Sequence, residues 1–208
     1  MTTVNPSLKF ELRTAILDAA GRRFKRFGYR KTTMEEIAAE AGLSRGTLYL
    51  YYSSKDDLAR CWISRYFQKR IIFLSSLAEE ATDPMNLISE LLVQRVLFAF
   101  DAAAEYSDSI DDLFAALRPD ILRLRNEIEE KEVGLLSSLL DSALASQAII
   151  QTDTLTAARL LLIATNGLLP TNFAITRTSC RHDLESTARN LAQLLLAGLV
   201  NQKDDRGN

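Results

Sequence analysis

Apolar residues recur every three or four positions through most of this chain, a spacing that helices satisfy and strands do not. Leu12, Ala15, Ile16, Ala19, Ala20, Phe24 and Phe27 form the first such stripe and predict an amphipathic helix over residues 10–27. Gly28 stands where a left-handed cap would end it. Only four prolines and eight glycines punctuate the 208 residues, and Pro84, Pro119 and Pro170 fall where the periodic segments change. Past residue 84 the pattern predicts helices over about 85–104, 108–117, 120–146, 153–168 and 183–201. An all-α fold follows.

The apolar runs Leu160 to Ala164 and Leu194 to Val200 fall well short of the roughly 18 residues that a membrane helix requires, so no membrane span is expected. The first six residues carry no apolar core of the signal-peptide kind, and a cytoplasmic protein is the expectation. Two widely separated cysteines, Cys61 and Cys180, suggest neither a disulfide framework nor a metal cluster, and no cofactor or metal site is expected.

Charge divides the chain in two. Residues 1–70 hold 14 Lys or Arg against 7 Asp or Glu, a net of +7, while the remaining 138 residues hold 11 against 20, a net of −9. A phosphate backbone attracts the first segment and repels the second. A basic face on an ordinary domain would show the same asymmetry, so motifs must decide.

Thr33-Met34-Glu35-Glu36 is a capping-box signature opening a short second helix with the stripe Met34, Ile37, Ala38 and Ala41. Gly42 ends it and Ser44 caps a third helix of about Arg45 to Tyr51 or Tyr52. Two short helices joined by Ala41-Gly42-Leu43-Ser44 fit a helix-turn-helix over residues 33–52, whose second helix enters the major groove. Leu48 and Tyr52 anchor that helix inward, leaving Arg45, Gly46, Thr47, Tyr49 and Tyr51 on its other face. Arg45 can donate a fork of hydrogen bonds to guanine, and Thr47 and Tyr49 can meet base edges or phosphate. Gly46 permits close backbone approach. Ser54 caps a fourth helix, where Lys55 suits phosphate better than it suits the helix dipole.

Arg13 to Ala20, Phe24, Phe27-Gly28-Tyr29, Thr32-Thr33, Ile37-Ala38, Ala41 to Ser44, Gly46 to Tyr49, Tyr52 and Ser54 to Leu58 together resemble the DNA-binding domain of TetR-family transcriptional regulators. The resemblance implies a three-helix DNA-binding domain at 8–53 and a larger helical ligand-binding and dimerisation domain at 54–203, the helix from 54 connecting them. By the same resemblance Thr33, Arg45, Thr47, Tyr49, Tyr51 and Lys55 align with positions that touch DNA. Tyr51 stands where the family often has histidine, and Tyr52 where it often has phenylalanine. The family implies a ligand-responsive homodimer, in most cases a repressor, on double-stranded palindromic operator DNA.

The last two predicted helices are apolar more widely than one core needs, which suggests that they also meet a second chain. Leu161, Leu168, Leu184, Leu191 and Leu195 are the candidate dimer residues. Arg95 and Asn166 interrupt apolar runs and, with Phe98 and Phe114, are candidates for the site of an unidentified apolar or amphipathic effector. Two other readings compete: a helical interaction protein with an incidental basic face, and a helical-bundle enzyme built on Glu127 and Glu130. The latter lacks a Glu-x-x-His motif, the only histidine being His182.

Overall fold

The computed structural model describes residues 6–80, 83–105, 110–169 and 180–200. Helices make up nearly all of them: α1 (Pro6–Phe27), α2 (Met34–Glu40), α3 (Arg45–Tyr51), α4 (Lys55–Glu80), α5 (Pro84–Glu105), α6 (Ile110–Ala145), α7 (Thr154–Asn166) and α8 (Arg181–Ala197). No described helix is long and apolar enough to cross a membrane.

Local chemistry sets most of the boundaries. Gly28 at φ 82° closes α1, with its amide bonded to Phe24 O at 2.9 Å. Pro84 opens α5 at the position where its missing N–H costs nothing, and Asp83 accepts from Met85 N at 3.0 Å. Asp153 caps α7 through Leu155 N and Thr156 N. Pro170, an expected boundary, lies outside the described residues.

The two helices anticipated at 108–117 and 120–146 are the two segments of α6, which meet at a kink where Leu117 leaves helical geometry at φ −116°, ψ 21°. Pro119 lacks the N–H that a continuous helix would use and crowds the carbonyl four residues back, which accounts for the discontinuity.

The chain packs as two compact units. The first comprises residues 1–68 with 103–126, and the second residues 69–102 with 127–208. The first unit buries Ile16, Ala20, Phe24, Ile37, Leu48, Tyr52 and Leu58, and from the distant segment Leu113, Leu117 and Ile121. Phe24 meets the rings of Tyr29 and Trp62 edge-on at 5.5 and 6.0 Å. Ion pairs Lys25–Glu105, Arg30–Asp112 and Arg60–Asp120 (3.2, 3.2 and 3.4 Å) fasten residues 103–126 to the N-terminal helices. All three are partly or largely exposed, so the buried aliphatic side chains supply most of the attachment.

The second unit has two apolar clusters. One gathers Leu74, Leu91, Leu92, Leu136, Leu140, Leu161, Leu162 and Leu196, and the other Val96, Leu97, Leu168, Leu169 and Leu184. Leu191 packs on the second cluster and Leu195 on the first. Leu161, Leu168, Leu184, Leu191 and Leu195, expected at a dimer contact, thus turn toward the interior of their own chain. A stripe at helical spacing reports only that a face is covered, not by which chain. The apolar residues of α7 and α8 that are more than half exposed are Leu160, Ile163 and Leu194, at 60, 59 and 75%, with Leu155 at 48%.

Between α4, α5, α6 and α7 the second unit also buries charge. Glu132, fully buried, takes Arg95 Nε on one carboxylate oxygen at 2.8 Å. Arg70 Nη2 lies 2.8 Å from the other, an ion pair off the hydrogen-bonding direction. Arg95 further donates to Thr165 Oγ1 at 3.3 Å and Asn166 Oδ1 at 2.5 Å. Burial pulls the Arg95 pKa down and the Glu132 carboxylate opposes that shift.

Candidate nucleic-acid interface

The start of α2 and the turn that leads from it into α3 are fixed by backbone and side-chain bonds. Thr33 Oγ1 accepts from Glu36 N at 3.3 Å, and Glu36 Oε2 accepts from Thr33 N at 2.9 Å, completing the capping box. Those bonds, the Thr33 amide foremost, hold the Glu36 carboxyl below its ordinary pKa, with nearby Arg23 adding to the effect. Gly42, at φ 69°, lets Leu43 N reach Ala38 O (2.8 Å) while Gly42 N reaches Ala39 O (3.1 Å), a Schellman closure. Ser44 Oγ then caps α3 by accepting from Thr47 N at 3.1 Å.

Two arginines of α1 seat α2 on that helix: Arg23 pairs with Glu36 at 2.8 Å and Arg22 with Glu40 at 2.7 Å. Leu48 and Tyr52 seat α3, both essentially inaccessible, and the Tyr52 ring lies under the Arg13 guanidinium at 5.0 Å. These contacts leave one side of the seven-residue α3 outside the core.

Arg45, Gly46 and Tyr49 are exposed there, with Thr47 and Tyr51 half-buried. Arg45 pairs with Glu35 at 3.0 Å and lies over the Tyr49 ring at 5.5 Å. The Thr47 hydroxyl is 2.8 Å from Ser44 Oγ. Gly46 has no packing reason to be glycine: a Cβ built there meets only Ser44 Oγ, at 3.9 Å. Thr33 is exposed at the start of α2. Six of the seven expected DNA residues therefore gather on α3 and the adjoining end of α2.

Lys55 differs from what its position suggests. Its ammonium donates to the carbonyls of Tyr29 and Thr32 at 3.0 Å and of Arg30 at 3.4 Å, and lies 4.5 Å from the centre of the Tyr29 ring. The neighbouring Tyr29 hydroxyl donates to Asp56 Oδ1. Burial, and then that carboxylate, push the Tyr29 pKa upward. Lys55 thereby clasps the turn after α1; nothing in the sequence separates this from a phosphate contact, because both need a lysine at a helix start.

Of the expected effector residues, Arg95 and Asn166 are brought together in the buried network of the second unit. Phe98 is half-buried and stacks on Phe73 at 5.6 Å. The side chain of Phe114 lies outside the described residues. Glu132, which organises this network, was missed because in sequence it is one of five charged residues between Glu127 and Glu132 and nothing local marks it as buried. Glu130, half of the enzyme reading, forms a bidentate surface pair with Arg159, 2.8 Å on each oxygen.

Residues 16–60 match the family model described as bacterial regulatory proteins, tetR family. The chain is 30% identical over 170 residues to the HTH-type transcriptional repressor BepR of Brucella suis, spanning 76% of this chain and 79% of that protein. It is 26% identical over 191 residues to the fatty acid metabolism regulator protein of Bacillus subtilis, spanning 90 and 95%. Among solved structures, the transcriptional regulator FadR from Bacillus subtilis, in complex with stearoyl-CoA, shares the fold with a TM-score of 0.62 at 20% identity, over 89% of this chain and 98% of that one.

Proposed function

This chain belongs to the TetR family of bacterial regulatory proteins and is a DNA-binding transcriptional regulator, not an enzyme; we propose that it acts as a repressor. As a homodimer, it holds a palindromic operator and releases it when a small amphipathic effector binds. The observation that carries this reading is the outward side of α3, where Arg45, Thr47 and Tyr49 stand clear of a core that Leu48 and Tyr52 close. Arg45 supplies the fork for a guanine, and Thr47 and Tyr49 supply hydroxyl and apolar atoms for neighbouring base edges. Thr33, Gly46 and Tyr51 lie where the backbone of the duplex passes, and Lys55 braces the turn that presents them.

Dimerisation rests on Leu160, Ile163 and Leu194. Three large aliphatic side chains on two neighbouring helices, each more than half exposed, favour a second copy of the same helices as their cover. Two copies then present two recognition helices about one DNA turn, roughly 34 Å, apart.

The effector acts in the second unit, around Arg95, Phe98 and Asn166. It must bind the DNA-free state more tightly than the DNA-bound one, since equal affinity would shift nothing. Long-chain acyl-CoA is the first class to test, because the Bacillus subtilis relative similar over nine-tenths of this chain is named for fatty acid metabolism.

Selection of bound duplexes from a randomised pool, followed by fluorescence anisotropy with and without stearoyl-CoA, tests the reading. The expected result is an enriched inverted repeat whose complex weakens on adding the thioester. Enrichment of no motif, or of a motif without two-fold symmetry, overturns the dimeric reader. An inverted repeat indifferent to acyl-CoA removes only that effector class.

A further inference from the structure

The three glutamates of α2 each face a different arginine, and they do different jobs. Glu36 and Glu40 pair with Arg23 and Arg22 of α1 and so hold the motif together. Glu35 instead pairs, at 3.0 Å, with Nε of Arg45, the first residue of α3. Both partners are about half or more exposed, at 48 and 66%, so neither is needed to fill the core. An acidic side chain next to the reading arginine is also electrostatically wrong for approach to a polyanion.

We propose that Glu35 competes with DNA for Arg45 and so sets how much affinity the base-reading arginine contributes. The inference rests on the proposal that Arg45 reads a base. In the free protein the guanidinium already has a charge-assisted partner, so a duplex gains from Arg45 only by offering something better. Guanine does, because O6 and N7 are two acceptors side by side that match the guanidinium fork. Adenine sets an amino donor beside N7, and pyrimidines lack the paired acceptors, so on those sequences Arg45 stays with Glu35. The pair is therefore broken only in the guanine complex, which also leaves the Glu35 carboxylate bare beside phosphate, so Glu35 lowers affinity most at the site that Arg45 reads best.

The competition makes Glu35→Gln a diagnostic change. Gln keeps the length and helical character of the side chain while removing the charge that holds Arg45. Glu40→Gln is the control, deleting the same charge from the same helix without touching Arg45. Affinities of wild type and both variants are measured by anisotropy on the enriched duplex, on that duplex with each guanine exchanged for adenine, and on scrambled DNA, with circular dichroism and Tm as folding checks.

Glu35→Gln is expected to tighten the enriched duplex about 3- to 10-fold and the scrambled and guanine-exchanged duplexes less, and so to raise the preference for one guanine per half-site. Glu40→Gln should move all duplexes by one common factor. In an Arg45→Ala background, Glu35→Gln should also shift every duplex alike. Equal shifts on every duplex for Glu35→Gln in the presence of Arg45 overturn the proposal and reduce Glu35 to a bulk charge. A larger gain on scrambled or guanine-exchanged DNA than on the enriched duplex overturns it too. If wild type enriches no sequence, the base-reading proposal fails first, visibly, before any variant is compared.

Discussion

At the scale of single residues, Gly46 and Lys55 are the informative positions. Gly46 sits in the first turn of a seven-residue helix, where glycine is a poor helix former, yet the protein leaves open space around its Cα. The chain itself excludes no side chain there. Gly46→Ala should therefore raise stability by up to about 1 kcal/mol, read as a higher Tm, while weakening operator binding. A variant that is stabilised and binds DNA as well as wild type would show that nothing approaches this backbone. Lys55 makes the opposite case, since its charge is taken up by three carbonyls of the turn after α1. Lys55→Met should lower Tm and DNA affinity together, while the slope of log affinity against log salt changes by clearly less than one. A slope change near one, the signature of a lost phosphate contact, would move its charge back onto DNA.

At the scale of elements, what was legible in the sequence was what is local. Thr33, Gly42, Ser44 and Ser54 each mark a boundary through bonds that span only a few residues, so a short window carries the whole signal. Pro119 was legible as the discontinuity between the two segments of α6, because a missing N–H and a clash four residues back are properties of the residue itself. The faces of α7 and α8 were not legible at all: Leu184 and Leu194 are the same residue type on one helix, 1 and 75% exposed. The buried network lies furthest beyond a sequence window, since Arg70, Arg95, Glu132 and Thr165 come from four helices. Its electrostatics make Glu132 the member whose loss costs most, for two buried guanidiniums then face each other without an anion. Glu132→Ala should destabilise the chain by about 3–5 kcal/mol in denaturant unfolding. A loss under about 1 kcal/mol would mean that water or rearrangement already neutralises the site.

At the scale of the whole molecule, the two apolar surfaces of the last helices make separable predictions. Leu194→Asp, on the outward face of α8, should leave the helical signal intact, convert the proposed dimer to monomer in light scattering, and cut affinity for the proposed inverted repeat far more than for one half-site. Leu184→Asp, on the inward face, should unfold the second unit instead, because it buries an unpaired charge. A Leu194→Asp protein that remains dimeric would place the partner elsewhere.

Residues 103–126 have a consequence for how such proteins can be recombined. They lie far along the chain, yet they complete the compact unit that carries α1, α2 and α3, contributing Leu113, Leu117 and Ile121 to what is buried. A hybrid gene joined once, near residue 68, inherits a reading head with part of its interior missing and a foreign segment in its place. A sound graft has to carry both stretches from the same parent, cutting again on each side of 103–126. New pairings of reader and sensor are thus harder to reach by a single exchange than by gradual change of the residues that face the duplex or the effector.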